Sequence, residues 1–288
     1  MKILDGHIHI RNDCVEAEGL RERLHDAGIQ GGLLISLRPA CFLDAHETMT
    51  PDERLANVLA WCEGDARFYP FFWVDPLEAD AERQVQAAAE AGAAGIKVIC
   101  NRFHPGDERA RPVFEAVARS GLPILFHSGI LWDGQASSVY NRPAGFESLF
   151  GIGGLRFALA HISWPWCDEA IAVYGKFLNA LGRQPPEDAV EMFIDTTPGT
   201  PPIYREGALQ RLYTVGYDVE RNVTFGTDGC AHDYNVAWAR EWIERDLGIL
   251  RGLPISETAR ADVFSGNLLR FLGVCKDTAP RRTVRPGA

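Results

Sequence analysis

The chain has 288 residues, of which 46% are hydrophobic and 24% charged, a balance typical of a globular protein rather than a disordered or fibrous one. Its net charge of −10 argues against binding to nucleic acid or to an anionic membrane, since both need a basic surface. No apolar run approaches the ~20 residues of a membrane-spanning helix. The seven cysteines include no C-x-x-C pair, so no disulfide framework or zinc ribbon is indicated, and a reducing cytoplasm is predicted.

Short apolar runs alternate with longer amphipathic ones along the whole chain. The short runs are continuously apolar and rich in β-branched or aromatic residues, which is typical of parallel strands covered on both faces. Strands are predicted at 2–9, 31–37, 68–74, 94–100, 122–127, 155–161, 190–195 and 222–227. Helices are predicted at 16–27, 51–63, 78–92, 108–120, 166–181, 204–216, 235–247 and 256–272. Gly121 and Gly216 follow helix ends, where a left-handed cap favours glycine.

Repeated strand–helix units over about 275 residues predict a (β/α)8 TIM barrel, a fold that typically takes ~250 residues. A doubly wound open sheet is the main alternative, but it would normally carry a glycine-rich phosphate loop after its first strand. The first strand here ends in histidines instead. We therefore predict a single catalytic barrel over 1–275 and a short, irregular, polar tail over 276–288.

Two histidines close the first strand, in the sequence Asp5-Gly-His7-Ile-His9. Side chains at i and i+2 of a strand point to the same side, so His7 and His9 face one direction. Paired imidazoles at a strand end are suitable metal ligands. An H-x-H motif alone is weak evidence for a metal.

Other predicted strands also end in one polar residue after an apolar run. They contribute Lys97, His127, His161 and Asp228. The carboxyl ends of barrel strands surround one mouth, where active sites form, so these residues should converge there. Each could instead be a satisfied core residue. Burying so many ionisable groups without a shared partner would cost several kcal/mol each, however, and a divalent cation is the natural shared partner.

These motifs resemble those of the amidohydrolase superfamily, and within it the amidohydrolase-related (amidohydrolase 2) family of TIM-barrel metal-dependent hydrolases and decarboxylases. Further similar segments are Gly95-Ile-Lys-Val, Phe193-Ile-Asp195-Thr and Ser265-Gly-Asn267-Leu-Leu-Arg270. The resemblance runs from residue 3 to about 273. It implies that His7, His9, His127 and Asp228 hold one divalent metal ion, most simply Zn²⁺. It also implies that Asp228 and His161 are the catalytic acid/base and carbonyl-polarising groups.

Lys97 and the loops around the mouth carry the remaining predictions. In binuclear relatives a strand-four lysine is carbamylated and bridges two metals, so a second metal at Lys97 is one alternative; an unmodified Lys97 could bind a substrate carboxylate or pair with Asp228 or Asp195. Arg38 and Arg102 could also bind a carboxylate, and Trp164 could pack against a planar substrate. Trp164 could equally pack its loop against the barrel.

The predicted function is metal-dependent hydrolysis of a small, carboxylated amide, lactone or ester through a metal-activated water. A zinc-dependent, non-oxidative decarboxylase of an unsaturated or aromatic acid would use the same residues, with Arg38 or Arg102 orienting the carboxylate. A metal-free lactonase and a catalytically inactive binding scaffold are further alternatives. The predicted partner is a small-molecule substrate, with no nucleic acid or membrane, and homodimerisation is left open.

Overall fold

A computed structural model describes residues 1–42, 49–181 and 188–274. Within these ranges the chain forms a nine-stranded parallel sheet with the strand order β8-β7-β6-β5-β4-β3-β2-β1-β9. The strands are β1 (Asp5–His9), β2 (Gly32–Ile35), β3 (Phe68–Trp73), β4 (Gly95–Val98), β5 (Ile124–Phe126), β6 (Arg156–Leu159), β7 (Glu191–Asp195), β8 (Val223–Thr224) and β9 (Gly229–Cys230). The predicted strands are confirmed, and every residue of β2, β4, β5 and β7 is buried, as continuous apolar strands require.

The eighth predicted strand, 222–227, is shorter than predicted, and a further short strand follows it. The first strand, β8, pairs with β7, and the second, β9, lies beyond the predicted range and pairs with β1. Between them, the Phe225 carbonyl accepts a hydrogen bond from Gly6 N at 3.0 Å. The segment 223–230 therefore contacts both neighbours, and the sheet curls into the predicted TIM barrel.

Helices on the outside of the sheet cover the strands. They are α1 (Ala17–Ala27), α2 (Pro51–Cys62), α3 (Ala81–Glu90), α4 (Arg111–Arg119), α5 (Cys167–Leu181), α6 (Pro202–Thr214), α7 (Val236–Arg251), α8 (Glu257–Phe264) and α9 (Gly266–Phe271). Between β5 and β6, where no helix is predicted, a 3-10 segment at Pro143–Gly151 takes the outer position. Gly121 and Gly216 have positive φ beyond α4 and α6, as predicted. No helix in the described ranges has the length and apolar character needed to cross a bilayer.

The single helix predicted over 256–272 is wrong, because the structure has two helices there. Ser265 between them has φ −158° and ψ −49°, outside the helical region. The carbonyls of Val263 and Phe264 accept hydrogen bonds from Phe225 N and Leu4 N. The end of α8 is thus bonded to two barrel segments, and the chain restarts as α9. The division at residue 275 stays a prediction, since 275–288 lie outside the described residues.

The barrel encloses an apolar cluster that is separate from the larger core. Leu268, Phe271 and Leu272 on and after α9 join it and pack against the inward side chains of the strands. The Phe271 ring lies 5.1 Å from that of Phe193 and 6.2 Å from that of Phe71, centroid to centroid. This packing fills one end of the barrel and leaves the other end for a site.

Gly95 on β4 leaves room for the Phe71 ring inside the barrel. A Cβ at this position would lie 2.2 Å from Phe71 Cζ, and Phe71 is fully buried. Gly95→Ala is therefore expected to lower the free energy of unfolding by about 1–3 kcal/mol, the usual cost of overpacking. Gly248→Ala is the matched control, because nothing lies within 4 Å of its added Cβ in α7 and alanine favours a helix by about 1 kcal/mol. Urea unfolding of both variants checks this, and equal midpoints would contradict it.

Candidate active site

The carboxyl ends of the strands bring all of the predicted site residues to one cavity of about 970 Å³. A cavity of this size accommodates a small organic substrate. The predicted residues that line it are His7, His9, Arg38, Lys97, Arg102, His127, His161, Trp164 and Asp228. Further walls are apolar, from Trp73, Phe42, Ile99 and Leu131. The structure therefore brings these side chains together around one cavity, and their roles in binding and catalysis stay predictions.

His7, His9 and Asp228 form the tightest group in the cavity. His7 Nε2 lies 3.1 Å from His9 Nε2, and Asp228 Oδ1 lies 3.7 Å and 3.4 Å from these two nitrogens. One ligand atom of each residue falls within 4.8 Å of the others. Two imidazoles and a carboxylate are the donor types that hold Zn²⁺ in catalytic sites. The residues therefore fit a divalent cation.

His7 is held in place by the carboxylate at the end of β7. Its Nδ1 lies 2.8 Å from Asp195 Oδ2, and Asp195 Oδ1 accepts hydrogen bonds from the backbone N and the hydroxyl of Thr197. Because a carboxylate oxygen can only accept a hydrogen bond, Nδ1 carries the proton and donates it to Asp195. Nε2 then keeps its lone pair for a metal, the usual arrangement behind a metal-binding histidine. Burial and the nearby Lys97 charge hold the pKa of His7 well below its usual value. Sequence reasoning singled out Asp195 but missed this role.

Asp5 connects β1 to the turn that carries Asp228. Asp5 is fully buried. Its Oδ1 accepts hydrogen bonds from His7 N at 3.0 Å and Thr227 N at 2.9 Å. Its Oδ2 accepts hydrogen bonds from Thr227 Oγ1 at 2.5 Å and Tyr234 Oη at 2.7 Å. Burial raises the pKa of Asp5 to about 6, although the hydrogen bonds oppose that shift. Asp228 itself adopts the left-handed φ of +56°. Sequence reasoning missed this network; the only signal was an acidic residue inside an apolar strand.

His161 lies on a backbone turn of unusual conformation. His161, Ile162 and Ser163 have φ of 64°, 47° and 57°, and such left-handed residues cost roughly 1–2 kcal/mol each. Strain of this kind concentrates at functional sites. The Ser128 hydroxyl donates to Ser163 Oγ at 2.7 Å and helps to hold the turn. His161 Nδ1 donates to the Pro198 carbonyl at 3.1 Å, so Nε2 remains available toward the cavity, and burial lowers the pKa of its ring.

His127 lies beside His161 and outside the group of three. Their ring centroids are 5.0 Å apart. His127 Nε2 lies 3.1 Å from the Ile130 carbonyl, which can only accept, so Nε2 carries the proton and Nδ1 keeps a lone pair. Burial lowers the pKa of this imidazole well below its usual value. The assignment of His127 as a metal ligand stays a prediction.

Lys97 reaches the same cavity from β4. It is 1% exposed, and burial lowers the pKa of its amine to about 8, while Asp228 and Asp195 oppose the shift. No described residue forms a hydrogen bond or a 4 Å ion pair with Nζ, so the amine is available to a ligand.

The two predicted carboxylate-binding arginines differ in their surroundings. Arg102 Nη2 donates to the buried Asp75 Oδ2 at 2.5 Å, so part of its guanidinium is already engaged. Arg38 lines the cavity beside His9 and also a second cavity next to it. Trp164 packs toward Tyr204, with ring centroids 6.2 Å apart, and presents one side to the main cavity. This packing is compatible with a contact to substrate, which stays a prediction.

The chain is a parallel (β/α) barrel with histidines and an aspartate at the carboxyl ends of its strands, where TIM-barrel enzymes have their active sites. The model of the amidohydrolase family matches residues 43–274, and the chain belongs to that family. The match begins after β1 and β2, so His7 and His9 lie outside it, and the range is narrower than the sequence resemblance predicts. The search of curated proteins found no significant match.

Solved structures share the fold at low sequence identity. An uncharacterised TIM-barrel protein from Bordetella bronchiseptica is 19% identical, with a TM-score of 0.67 over 95% of this chain and 100% of that one. An amidohydrolase from Burkholderia multivorans, solved with bound HEPES, is 11% identical with a TM-score of 0.60 over 95% and 99%. A dihydroorotase from Campylobacter jejuni is 15% identical with a TM-score of 0.58 over 97% and 85%. Family and fold together support an enzyme of the hydrolase type.

Proposed function

We propose that this protein is a zinc-dependent hydrolase of a small, carboxylated amide, lactone or ester. The observation that carries the proposal is the convergence of His7 Nε2, His9 Nε2 and the Asp228 carboxylate within 4.8 Å of one another. His7, His9 and Asp228 would hold the ion, with His127 as a fourth ligand. When bound, the ion supplies Lewis acidity and lowers the pKa of water toward ~7.

The protein's own residues supply the proton transfers and orientation. The Asp228 side chain is 38% exposed. Burial alone would raise its pKa, but the hydrogen bond to His9 and the nearby histidines hold that pKa well below the usual value. It is therefore ionised at neutral pH and can accept the proton of an attacking water. His161, whose Nδ1–H is bonded to Pro198, presents Nε2 to the substrate as the proton-transferring group. Trp73 and Trp164 provide apolar walls that limit water around the substrate.

Metal analysis of the purified protein tests this proposal. Elemental mass spectrometry of protein prepared without chelator should find about one zinc per chain, and Asp228→Asn should lose both the metal and the hydrolysis of a panel of carboxylated amides and lactones. Intact mass would reveal a carbamate on Lys97, which would indicate a second metal. Turnover that survives chelation would contradict the proposal and favour a metal-free lactonase.

The same assay separates hydrolysis from decarboxylation. A hydrolase consumes water and forms an acid and an amine or alcohol, whereas a decarboxylase releases carbon dioxide. Carbon dioxide evolved from unsaturated or aromatic acids, without hydrolysis of any amide or lactone in the panel, would favour the decarboxylase. The proposed partner is the small-molecule substrate alone, and a cytoplasmic location stays a prediction from the cysteine pattern.

A further inference from the structure

A second cavity of about 740 Å³ adjoins the candidate active site. His9, Trp73 and Asp228 line both cavities, so they form the boundary between them. A molecule whose reacting carbonyl lies at the His7–His9–Asp228 group can therefore extend into either cavity. The walls of the second cavity indicate which part of a substrate it accepts.

Arg54 on α2 is a buried cation in the wall of this second cavity. Its residue is 2% exposed, and its guanidinium lies 4.9 Å from the centroid of the Phe72 ring. Nη1 donates to the carbonyls of Leu37 and Trp73 at 3.1 Å and 2.8 Å. These two bonds orient the guanidinium but do not neutralise its charge.

The nearby carboxylates that could neutralise Arg54 have other partners. Asp75 accepts from Arg102, while Glu78 and Asp80 accept from Gln84. Among residues 1–42, 49–181 and 188–274, none forms an ion pair with Arg54 within 4 Å. A buried charge without a close counter-charge is costly, and burial lowers the pKa of Arg54.

The free side of this guanidinium faces the cavity. Nε and Nη2 have no hydrogen-bond partner among the described residues, yet neither is among the unpartnered polar atoms that are shut off from solvent. Since Arg54 lines the cavity, these N–H groups are presented to it. Arg11 and Arg38 are further cations in the walls, and among the described residues Asp13 and Asp228 are the carboxylates that line this cavity. A guanidinium whose Nε–H and Nη2–H have no protein partner among the described residues suits a carboxylate, which it can bind in bidentate fashion.

We propose that the second cavity binds a carboxylate of the substrate through Arg54, so that an acidic substrate spans both cavities with its reacting carbonyl at the His7–His9–Asp228 group. This rests on the proposed function for the reaction, but the anion site itself does not require the metal. The carboxylate of the substrate then lies at Arg54, outside the main cavity, whereas Arg102 in the main cavity is already bonded to Asp75.

Calorimetric titration of chelator-treated protein with sodium succinate tests the site without the metal. Succinate should bind saturably, and succinamide, its neutral isostere, should not. Arg54→Met should weaken succinate at least about tenfold, as expected for loss of a hydrogen bond to a charged group. Arg109→Met, the control, removes an exposed arginine that pairs with Asp107 and should leave the dissociation constant unchanged. Arg102→Met tests the main cavity as the alternative carboxylate site. If Arg54→Met fails to fold, Arg54→Lys should still weaken binding, because lysine keeps the positive charge but lacks the paired N–H groups that bind a carboxylate in bidentate fashion.

Several results would overturn the assignment. They are no succinate binding to the wild type, an unchanged dissociation constant in the Arg54 variants, a loss caused by Arg102→Met instead, and tighter binding of inorganic phosphate than of succinate. A protein that binds zinc but not succinate would contradict this carboxylate site alone. A protein that binds succinate but turns over without metal would contradict the proposed function alone.

Discussion

Replacing His7 with alanine is expected to abolish metal binding and turnover while the barrel remains folded. His7 is one of the three converging donors, and its Nε2 has no substitute at that position. Loss of an outer-shell partner of a metal ligand typically costs 10–100-fold in metal affinity, so loss of the ligand itself should exceed about 100-fold. Asp195→Asn removes only the carboxylate behind His7 Nδ1 and should fall within that 10–100-fold range.

Zinc content by elemental mass spectrometry and turnover by product formation measure both variants. His25→Ala is the matched control, since the His25 side chain is 90% exposed on α1, away from the strand ends. It should keep wild-type metal content and activity. Full metal content in His7→Ala would show that another set of residues holds the ion.

Replacing Asp246 with alanine is expected to lower the free energy of unfolding by about 3–5 kcal/mol, the usual cost of leaving a buried charge without its partner. Arg205 on α6 is fully buried and bonds Asp246 on α7 through two contacts, Nε–Oδ1 at 3.0 Å and Nη2–Oδ2 at 2.6 Å. It also lies 5.1 Å from the Trp242 ring centroid. Removing the carboxylate leaves the guanidinium charge buried between the two helices without a partner.

A double variant and an exposed pair make this measurement specific. Arg205→Met combined with Asp246→Leu removes both charges and should recover most of the loss, because apolar replacements of buried ion pairs are often neutral or stabilising. Asp168→Ala breaks the Arg211–Asp168 pair, which has the same 2.6 Å contact but side chains 54% and 75% exposed. It should cost no more than about 1 kcal/mol. Urea unfolding compares the variants, and equal losses in Asp246→Ala and Asp168→Ala would contradict the burial argument.

The strands were predictable because barrel strands are buried on both faces and read as short, continuous apolar runs. The ends of the helices and strands were less predictable. The run at 256–272 has helical periodicity throughout, yet the carbonyls of Val263 and Phe264 bond to backbone N–H groups of Phe225 and Leu4 and end the helix. These partners are distant in sequence, so no local pattern contains them.

The convergence of the strand-end polar residues was predictable for a related reason, since a polar residue that closes an apolar strand lies at the mouth of a barrel. Their roles were not. That Asp195 fixes the protonated nitrogen of His7 depends on a 2.8 Å contact between Nδ1 of His7 on β1 and Oδ2 of Asp195 on β7, which are far apart in sequence. That Arg102 is engaged depends on Asp75 after the neighbouring strand.

The sequence by itself determined the barrel and the set of polar side chains at its mouth, because periodicity and strand-end position are local properties of the chain. Only the tertiary structure decided which three of them converge and which histidine nitrogen keeps a lone pair. It alone showed that Arg54, an ordinary helical arginine in the sequence, faces a second cavity without a counter-charge among the described residues. The distances between side chains and the loss of their hydration depend on how elements distant in sequence pack together. An arginine that is ordinary at the surface has a high desolvation cost when it is buried.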